Sequence, residues 1–200
     1  YNFVMKENDF FFYKDKHGGL KIPKPKMNGQ FQIENASTAI ASLRNLKNIN
    51  IEDQHIIDGV KKANNTARLE EIKSGKIKRL VKNNKVLLDS SHNPGGSKVL
   101  NDYLQSLNCD KHVIVGMMSN KDHKKYISYF KNISSLTTVD IPNQPNSISG
   151  KNLMRVFKNL PNVKYQPDIV KAIKSINLKE GDIIIITGSL YLAGEVLSLN

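Results

Sequence analysis

An acidic residue and a histidine follow one strongly apolar run, an arrangement that can do chemistry on a small molecule. Asp89 comes directly after Val86–Leu88, and His92 follows three residues later in a polar turn. A carboxylate at such a place can accept hydrogen bonds from ribose hydroxyls, and the imidazole can stack on a base or donate to a phosphate. The alternative is structural, an aspartate that caps a turn beside a surface histidine. Two ligands are too few for a metal ion, so no metal site is expected here.

Two further segments offer groups that could bind an anion. Lys121 follows the run Val115–Met118 in a polar loop, where its ammonium could meet a carboxylate or a phosphate. Ser189 follows Gly188 and precedes a helical pattern, so it is a natural N-cap whose helix N-terminus can attract an anion. Both segments also have a plain structural explanation: an exposed lysine beside a helix cap at Asp122, and a capped strand-to-helix turn.

The elements that must position these residues alternate between strands and helices from about residue 76 onward. Lys76–Val81 and Val86–Asp89, separated by Asn83 and Asn84, predict a hairpin, and Pro94 marks a helix start. The remaining strands are predicted at 112–117, 136–141, 163–165 and 182–187, and the remaining helices at 124–130, 150–158, 169–176 and from 190. This alternation predicts an α/β fold with a doubly wound, mostly parallel sheet. The three polar segments follow the carboxyl ends of strands, where such sheets bind ligands.

The first 62 residues have a different texture. Aromatic and charged residues alternate near the start, which predicts strands within residues 1–26, and a helical pattern runs from Gly29 to Leu46. A second helix is predicted from Glu52 to Lys61, and the polar residues 64–66 are typical of a linker. The chain does not begin with Met and opens within a predicted strand, so we expect it to be a fragment.

The charge of the chain first suggests a polyanionic partner. Thirty Lys and Arg residues against 18 Asp and Glu residues give a net charge of +12. Lysine outnumbers arginine 26 to 4, however, and the most basic stretch, Lys73–Lys85, has no aromatic residue for base stacking. A solvated surface is therefore preferred to a nucleic-acid groove, and a non-catalytic, basic α/β nucleic-acid-binding module is kept as the alternative.

Cysteine content and hydropathy limit the class of protein. Cys109 is the only cysteine, so neither a disulfide framework nor a cysteine metal cluster is expected. No apolar run approaches the roughly 20 residues of a membrane span, and no secretory signal is visible, so a cytoplasmic protein is expected. The patterns G-x-x-x-x-G-K-S/T and G-x-G-x-x-G do not occur, so the cradle for a nucleoside triphosphate is not in these residues.

Five segments, in this order along the chain, resemble one family. Residues 29–36 resemble the G-x-H-Q-x-x-N-A helix start of the Mur ligase superfamily, and residues 66–70 resemble its P-G-R-L-E segment. Three more resemble its folate branch, dihydrofolate synthase/folylpolyglutamate synthase: residues 89–94 (D-G-A-H-N-P), 116–122 (G-x-x-x-x-K-D) and 187–191 (T-G-S-L-Y). The departures are Phe31 for histidine, Thr66 and Ala67 for Pro-Gly, and Ser90 and Ser91 for Gly-Ala.

The resemblance implies ATP-dependent ligation of L-glutamate to dihydropteroate or a folate through an acyl phosphate. It assigns residues 1–62 to the tail of the central ATPase domain and residues 63–200 to the C-terminal glutamate-ligase domain. The P-loop and the Mg²⁺ ligands are expected in an N-terminal part that this chain lacks. The partners implied are small molecules, without nucleic acid or membrane, and a monomer is expected.

The resemblance also implies a role for each site residue, by position. Those for ATP are Asn35 at the adenine, Arg68 at the phosphates, Asp89 at the ribose and His92 at the boundary between nucleotide and glutamate. Those for the glutamate carboxylates are Lys121 and Ser189, and the catalytic pair is His92 and Lys121. A fragment of a cell-wall Mur ligase is the alternative within the superfamily.

Overall fold

The computed structural model describes residues 2–5, 9–160 and 162–200, and it divides into two compact units, Tyr1–Thr66 and Ala67–Asn200. In the first unit, an antiparallel sheet in the order β1-β2-β3 is followed by two helices. The elements are β1 (Asn2–Met5), β2 (Phe10–Asp15), β3 (Gly18–Pro23), α1 (Phe31–Arg44) and α2 (Asp53–Lys62). The strands and both helices predicted for this part of the sequence are confirmed.

The aromatic residues of β2 explain how the first unit forms its core. Phe11 and Tyr13 are fully buried, whereas Phe10 and Phe12 are exposed, which is the two-residue alternation of a half-buried strand. The buried pair packs with Ile22 of β3 and with isoleucines of both helices. Those isoleucines are Ile33, Ile40 and Ile56.

The second unit contains a six-stranded sheet in which β4 is antiparallel to its neighbour and the other pairs are parallel. Its strands are β4 (Glu70–Glu71), β5 (Lys85–Leu88), β6 (Lys111–Val115), β7 (Ser135–Val139), β8 (Val163–Gln166) and β9 (Ile183–Thr187). Their order is β4-β5-β9-β6-β7-β8, so β9 lies between β5 and β6. The predicted α/β fold with a mostly parallel sheet is confirmed.

Helices follow the strands and bury the sheet. They are α3 (Gly75–Val81), α4 (Pro94–Gln105), α5 (His123–Ile127), α6 (Gly150–Val156), α7 (Ile169–Lys174) and α8 (Leu190–Ser198). Every residue of β9 is buried, as expected for a central parallel strand covered on both faces. Within the described part of the chain, no helix is long and apolar enough to cross a membrane.

The hairpin predicted at residues 76–89 is wrong, because its first segment is the helix α3. Ile77 and Val81 are buried four residues apart on one helical face, and the Ile77 N–H donates to Asn200 Oδ1 at 3.2 Å. The helix ends at Lys82, which has a φ of 53°. The six residues 76–81 mix basic and apolar side chains, and so short a segment fits both the two-residue period of a strand and the 3.6-residue period of a helix. Strand β5 pairs with β4 and β9 instead.

Candidate functional site

Three of the predicted site residues surround one cavity at the carboxyl edge of the parallel sheet. Because β5, β9 and β6 are neighbours, the loops that follow them meet at this edge. The cavity has a volume of about 510 Å³ and is lined by His92, Lys121 and Ser189. This space is named the strand-end cavity. Its other lining residues are Met118, Ser119, Asn120, Asn146, Leu190 and Tyr191.

Ser189 is the N-cap of α8, and the first residues of that helix line the strand-end cavity. Its buried Oγ accepts a hydrogen bond from the Tyr191 N–H at 3.1 Å. Gly188 makes the preceding turn possible: its φ is 106°, and an added Cβ would lie 2.6 Å from the carbonyl oxygen of Gly116. The first N–H groups of a helix lack intrahelical partners and carry partial positive charge, so this end of α8 favours an anion.

His92 has one ring nitrogen engaged and the other available. Its Nδ1 lies 2.9 Å from the carbonyl oxygen of Ser90, and because a carbonyl accepts, Nδ1 carries the proton. In the neutral imidazole, Nε2 is then an acceptor. Helix α4 begins directly afterwards: Asn93 Oδ1 accepts from the Gly96 N–H at 2.8 Å, and Pro94 occupies the first helical position. The helix start predicted at Pro94 is confirmed.

Lys121 reaches the strand-end cavity from the loop after β6. Both the N–H and the hydroxyl of Ser119 donate to the carbonyl oxygen of Asn146, at 2.9 and 2.8 Å, so this loop is joined to the loop after β7. Asp122 caps α5 by accepting from the Lys125 N–H. Lys121 is half-buried, and no residue in the described part of the chain accepts a hydrogen bond from its ammonium. That ammonium is available to a bound anion.

The loop after β7 is the part of the cavity that sequence reasoning missed. Asn146 lines the cavity, and the adjacent Ile148 N–H donates to the carbonyl oxygen of Met117 at 3.1 Å. The signal was present in the sequence, since β7 is a fourth strand whose carboxyl end is followed by polar residues, Asn143 and Gln144 among them. Polar residues after every parallel strand, and not only after three of them, predict the lining of such a site.

Asp89 is buried at the end of β5, where both of its carboxylate oxygens bind backbone N–H groups. Oδ2 accepts from Leu69 at 3.0 Å and Oδ1 accepts from Ser91 at 2.9 Å. Asp89 is only 3% exposed, so its carboxylate forms its hydrogen bonds within the protein. In this structure Asp89 joins the loop before β4 to the loop after β5. A contact of Asp89 with a ribose stays a prediction.

Arg68 lies in that first loop, between two residues with left-handed backbone conformations. Ala67 has a φ of 57° and Leu69 a φ of 49°, backbone conformations that residues other than glycine rarely adopt. Hydrogen bonds fix the loop: the Ala67 N–H donates to Glu70 Oε2 at 2.7 Å, and the Ser90 N–H donates to the Ala67 carbonyl oxygen at 2.8 Å. No described residue accepts a hydrogen bond from the half-buried Arg68 guanidinium. The loop therefore presents a free cation.

Asn35 belongs to the first unit, on helix α1. Its side-chain amide donates to Gln32 Oε1 at 3.0 Å, and it lines an apolar groove of about 270 Å³ with residues of α2 that include Ile56 and Gly59. The role of Asn35 at an adenine stays a prediction.

The second unit matches a known family. Residues 67–190, more than half of the chain, match the family described as Mur ligase, glutamate ligase domain. The chain belongs to this family. The resemblance drawn from the five sequence segments is thereby confirmed at the level of the superfamily. No curated protein matches the chain.

Solved structures share the fold of this Mur ligase chain over nearly its whole length. E. coli FolC in complex with DHPP and ADP has a TM-score of 0.80 at 23% identity, covering 98% of this chain and 45% of that one. Folylpolyglutamate synthase from Thermotoga maritima has a TM-score of 0.72 at 24% identity, with the same coverages of 98% and 45%. The bifunctional folylpolyglutamate synthase/dihydrofolate synthase from Yersinia pestis has a TM-score of 0.77 at 20% identity, again covering 98% and 45%. The chain spans about 45% of the length of these structures.

The chemistry of the strand-end cavity in this Mur ligase domain suits an anion. The residues that line it include Lys121 and the N-terminus of α8, and none of them is an aspartate or glutamate. A metal ion does not fit the residues at hand, because the described part of the chain has no group of three or more His, Cys, Asp or Glu that could hold one. Cationic side chains and a helix N-terminus are therefore the groups available for binding negative charge.

Proposed function

We propose that the natural protein ligates L-glutamate to dihydropteroate or a folate with ATP, and that this chain supplies its glutamate ligase domain. The observation that carries the proposal is the meeting of His92, Lys121 and Ser189 around one cavity in a Mur ligase domain. The fold shared with FolC and folylpolyglutamate synthases supports the folate branch over the cell-wall branch. The segments at 89–94 and 187–191 favour the same branch.

The strand-end cavity is assigned to L-glutamate. This substrate carries two carboxylates, and the cavity offers two kinds of partner for them, the Lys121 ammonium and the N-terminal turn of α8 behind Ser189. The cavity volume of about 510 Å³ lies in the ordinary range for small-molecule sites. Because no acidic residue lines the cavity, the substrate carboxylates meet no fixed negative charge there.

His92 and Arg68 are assigned to the reacting groups, His92 to the attacking amine and Arg68 to the phosphate groups. The substrate carboxylate takes the terminal phosphoryl group of ATP and ADP leaves; the glutamate amine then attacks the carbonyl carbon of this acyl phosphate, and phosphate leaves. His92 Nε2 is free to accept a proton from the attacking amine, since Nδ1 is bound to Ser90. The unpaired Arg68 guanidinium offsets the negative charge of phosphate groups.

The first test is a substrate screen of the complete natural protein. ADP release is expected when ATP, L-glutamate and either dihydropteroate or a folate are all present, and not when one of the three is left out. ADP release with a cell-wall precursor in place of the pteroate substrate would contradict the folate assignment. The 200-residue chain alone is expected to release no ADP, because the sequence contains no phosphate-binding loop.

The second test concerns the glutamate site. Lys121→Ala removes a charge-assisted contact, which is worth about 1.5–3 kcal/mol and corresponds to a roughly 10- to 150-fold higher KM for glutamate. Lys124→Ala is the matched control, since Lys124 lies three residues further on and does not line the strand-end cavity. Equal glutamate KM values for the Lys121 variant and the wild type would remove the assignment of this cavity.

A further inference from the structure

Tyr126 is a fully buried residue of α5 that does not line the strand-end cavity but contacts the loops that form it. Its hydroxyl lies 2.9 Å from Thr187 Oγ1 and donates to the carbonyl oxygen of Ser91 at 3.1 Å. Ser91 directly precedes His92, and Thr187 lies two residues before Ser189. One phenol therefore touches the loop after β5 and the end of β9, from a helix that follows β6.

The hydrogen positions in this cluster follow from the number of donors and acceptors. The Ser91 carbonyl oxygen has two lone pairs, and the Gly188 N–H donates to it at 3.0 Å. The second position belongs to the Tyr126 hydroxyl at 3.1 Å, because Thr187 Oγ1 lies farther away, at 3.4 Å. Thr187 then donates its own proton to the Tyr126 oxygen. Every polar atom of the cluster has a partner in this arrangement.

The chemistry of the phenol keeps this arrangement in place. Burial raises the pKa of the Tyr126 hydroxyl far above its ordinary value; the hydrogen bond with Thr187 opposes this rise and the nearby negative charge of Asp89 adds to it. The raised pKa keeps the hydroxyl protonated at neutral pH, so it remains a donor. The Ser97 hydroxyl also donates to the Tyr126 carbonyl oxygen, which joins α5 to the first turn of α4.

We propose that Tyr126 is a positioning residue that fixes the His92 loop against the Ser189 loop and so sets the shape of the strand-end cavity. Without its hydroxyl, the Ser91 carbonyl keeps the Gly188 N–H at 3.0 Å and the longer contact with Thr187 Oγ1 at 3.4 Å, and Thr187 loses its closer partner. The two loops then move relative to each other while the tyrosine ring continues to pack. The identity of the cavity ligand as glutamate rests on the proposed function; the positioning of the loops does not.

The experiment compares Tyr126→Phe with the wild-type chain by amide hydrogen exchange. Phenylalanine retains the ring and its contact with Phe130, at 5.6 Å between ring centroids, and removes only the hydroxyl. Exchange of the Gly188 and Ser91 amides is expected to become about tenfold faster, since both are hydrogen-bonded and lie where the hydroxyl joins the two loops. Exchange of the Thr137 amide in β7, on the far side of β6, is expected to stay within twofold.

Two further variants separate positioning from general loosening. Tyr129→Phe, on the same segment and half-buried, is the matched control and is expected to leave all three amides unchanged. Thr187→Val removes the partner of the phenol, so its effect and that of Tyr126→Phe are expected not to add in the double variant. Thr187→Val also tests the cluster independently if Tyr126→Phe does not fold.

In the complete protein, Tyr126→Phe is expected to raise the KM for glutamate about fivefold, because the groups that bind the substrate are displaced, and to lower kcat as well, because His92 moves with its loop. Unchanged exchange at Gly188 and Ser91, or faster exchange spread equally to Thr137, would overturn the positioning role. If the complete protein ligates no glutamate, the proposed function fails and the exchange data still decide the role of Tyr126.

Discussion

Replacing Asp89 tests whether its carboxylate supports the loop that carries Arg68. In the structure this carboxylate accepts the N–H groups of Leu69 and Ser91, both of which are buried. Asp89→Ala removes both acceptors without giving either N–H access to water. Asp89→Asn is the closer substitution, because one amide oxygen remains and an NH₂ group faces the other N–H.

The expected loss can be worked out from these contacts. Each buried N–H left without a partner costs about 1–3 kcal/mol. Part of the loss is recovered if the loop relaxes, since the left-handed conformations of Ala67 and Leu69 each cost roughly 1–2 kcal/mol. Asp89→Ala is therefore expected to lower the free energy of unfolding of the second unit by about 2–4 kcal/mol, and Asp89→Asn by about 1–2 kcal/mol.

The assay is a urea titration of the 200-residue chain followed through the amide signals of β5 and β9, which report on the second unit alone. Asp102→Asn is the control: Asp102 is exposed on α4, so its replacement is expected to change the free energy of unfolding by less than about 0.5 kcal/mol. If Asp89→Ala were no less stable than this control, the carboxylate would not be supporting the loop and the reasoning would be refuted.

A nucleotide comparison in the complete protein then separates support of the loop from a ribose contact. If Asp89 also binds a ribose hydroxyl, Asp89→Asn and the use of 2′- or 3′-deoxy-ATP remove the same interaction, and their effects on the KM for the nucleotide do not add. If Asp89 acts through the Arg68 loop alone, the two effects are independent and their free energies sum. If the effect of Asp89→Asn on the nucleotide KM is additive with that of 2′-deoxy-ATP and also with that of 3′-deoxy-ATP, the ribose contact is excluded.

Two further predictions concern stability. Gly188→Ala is expected to lower the free energy of unfolding of the second unit by at least about 2 kcal/mol, because φ is 106° and the added Cβ would lie 2.6 Å from a backbone carbonyl oxygen. Gly194→Ala is the control: this residue of α8 faces open space, so the substitution is expected to raise the free energy of unfolding by about 0.5–1 kcal/mol. Burial alone would raise the pKa of Asp15, but hydrogen bonding by Tyr13 and the charge of Arg44 lower it. The stabilisation that the ionised Asp15 carboxylate gives the first unit is thus complete above the pKa of about 4 that Asp15 has in the unfolded chain. It is lost as pH falls through the lower pKa of Asp15 in the folded chain. Asp15→Asn should remove this acid dependence in pH-resolved thermal melts, and equal slopes for both proteins would contradict the assignment.

The parallel sheet could be predicted from the sequence because its strands and helices differ in period and are separated by clear turn residues. Ile183–Ile186 is apolar at every position, which only a doubly covered strand requires. The short segment Lys76–Val81 could not be assigned in the same way. Its buried residues, Ile77 and Val81, become distinguishable as a helical face only through packing within the folded unit and the contact with Asn200, 123 residues further along the chain.

The same limit applies to the site. Lys121, His92 and Ser189 could be predicted because each follows a strand, and strand ends converge in any parallel sheet. Tyr126 could not, because it lies within the short helix α5 and not after a strand, and a helical tyrosine ordinarily indicates core packing. Its hydroxyl acquires its partners only because β9 enters between β5 and β6, a strand order that the sequence pattern does not specify.

Ala67 shows why a motif residue has to be understood through its contacts. The related family segment has glycine at this position, and Ala67 adopts a φ of 57°, at a cost of roughly 1–2 kcal/mol relative to a relaxed backbone. Hydrogen bonds from the Ala67 N–H to Glu70 and from the Ser90 N–H to Ala67 offset that cost, and Asp89 fixes the next left-handed residue. In this chain, hydrogen bonds therefore stabilise left-handed conformations that a glycine would adopt without strain. Since Asp89 is part of that support, its place in a segment that resembles the folate-branch signature does not by itself establish that it binds the nucleotide.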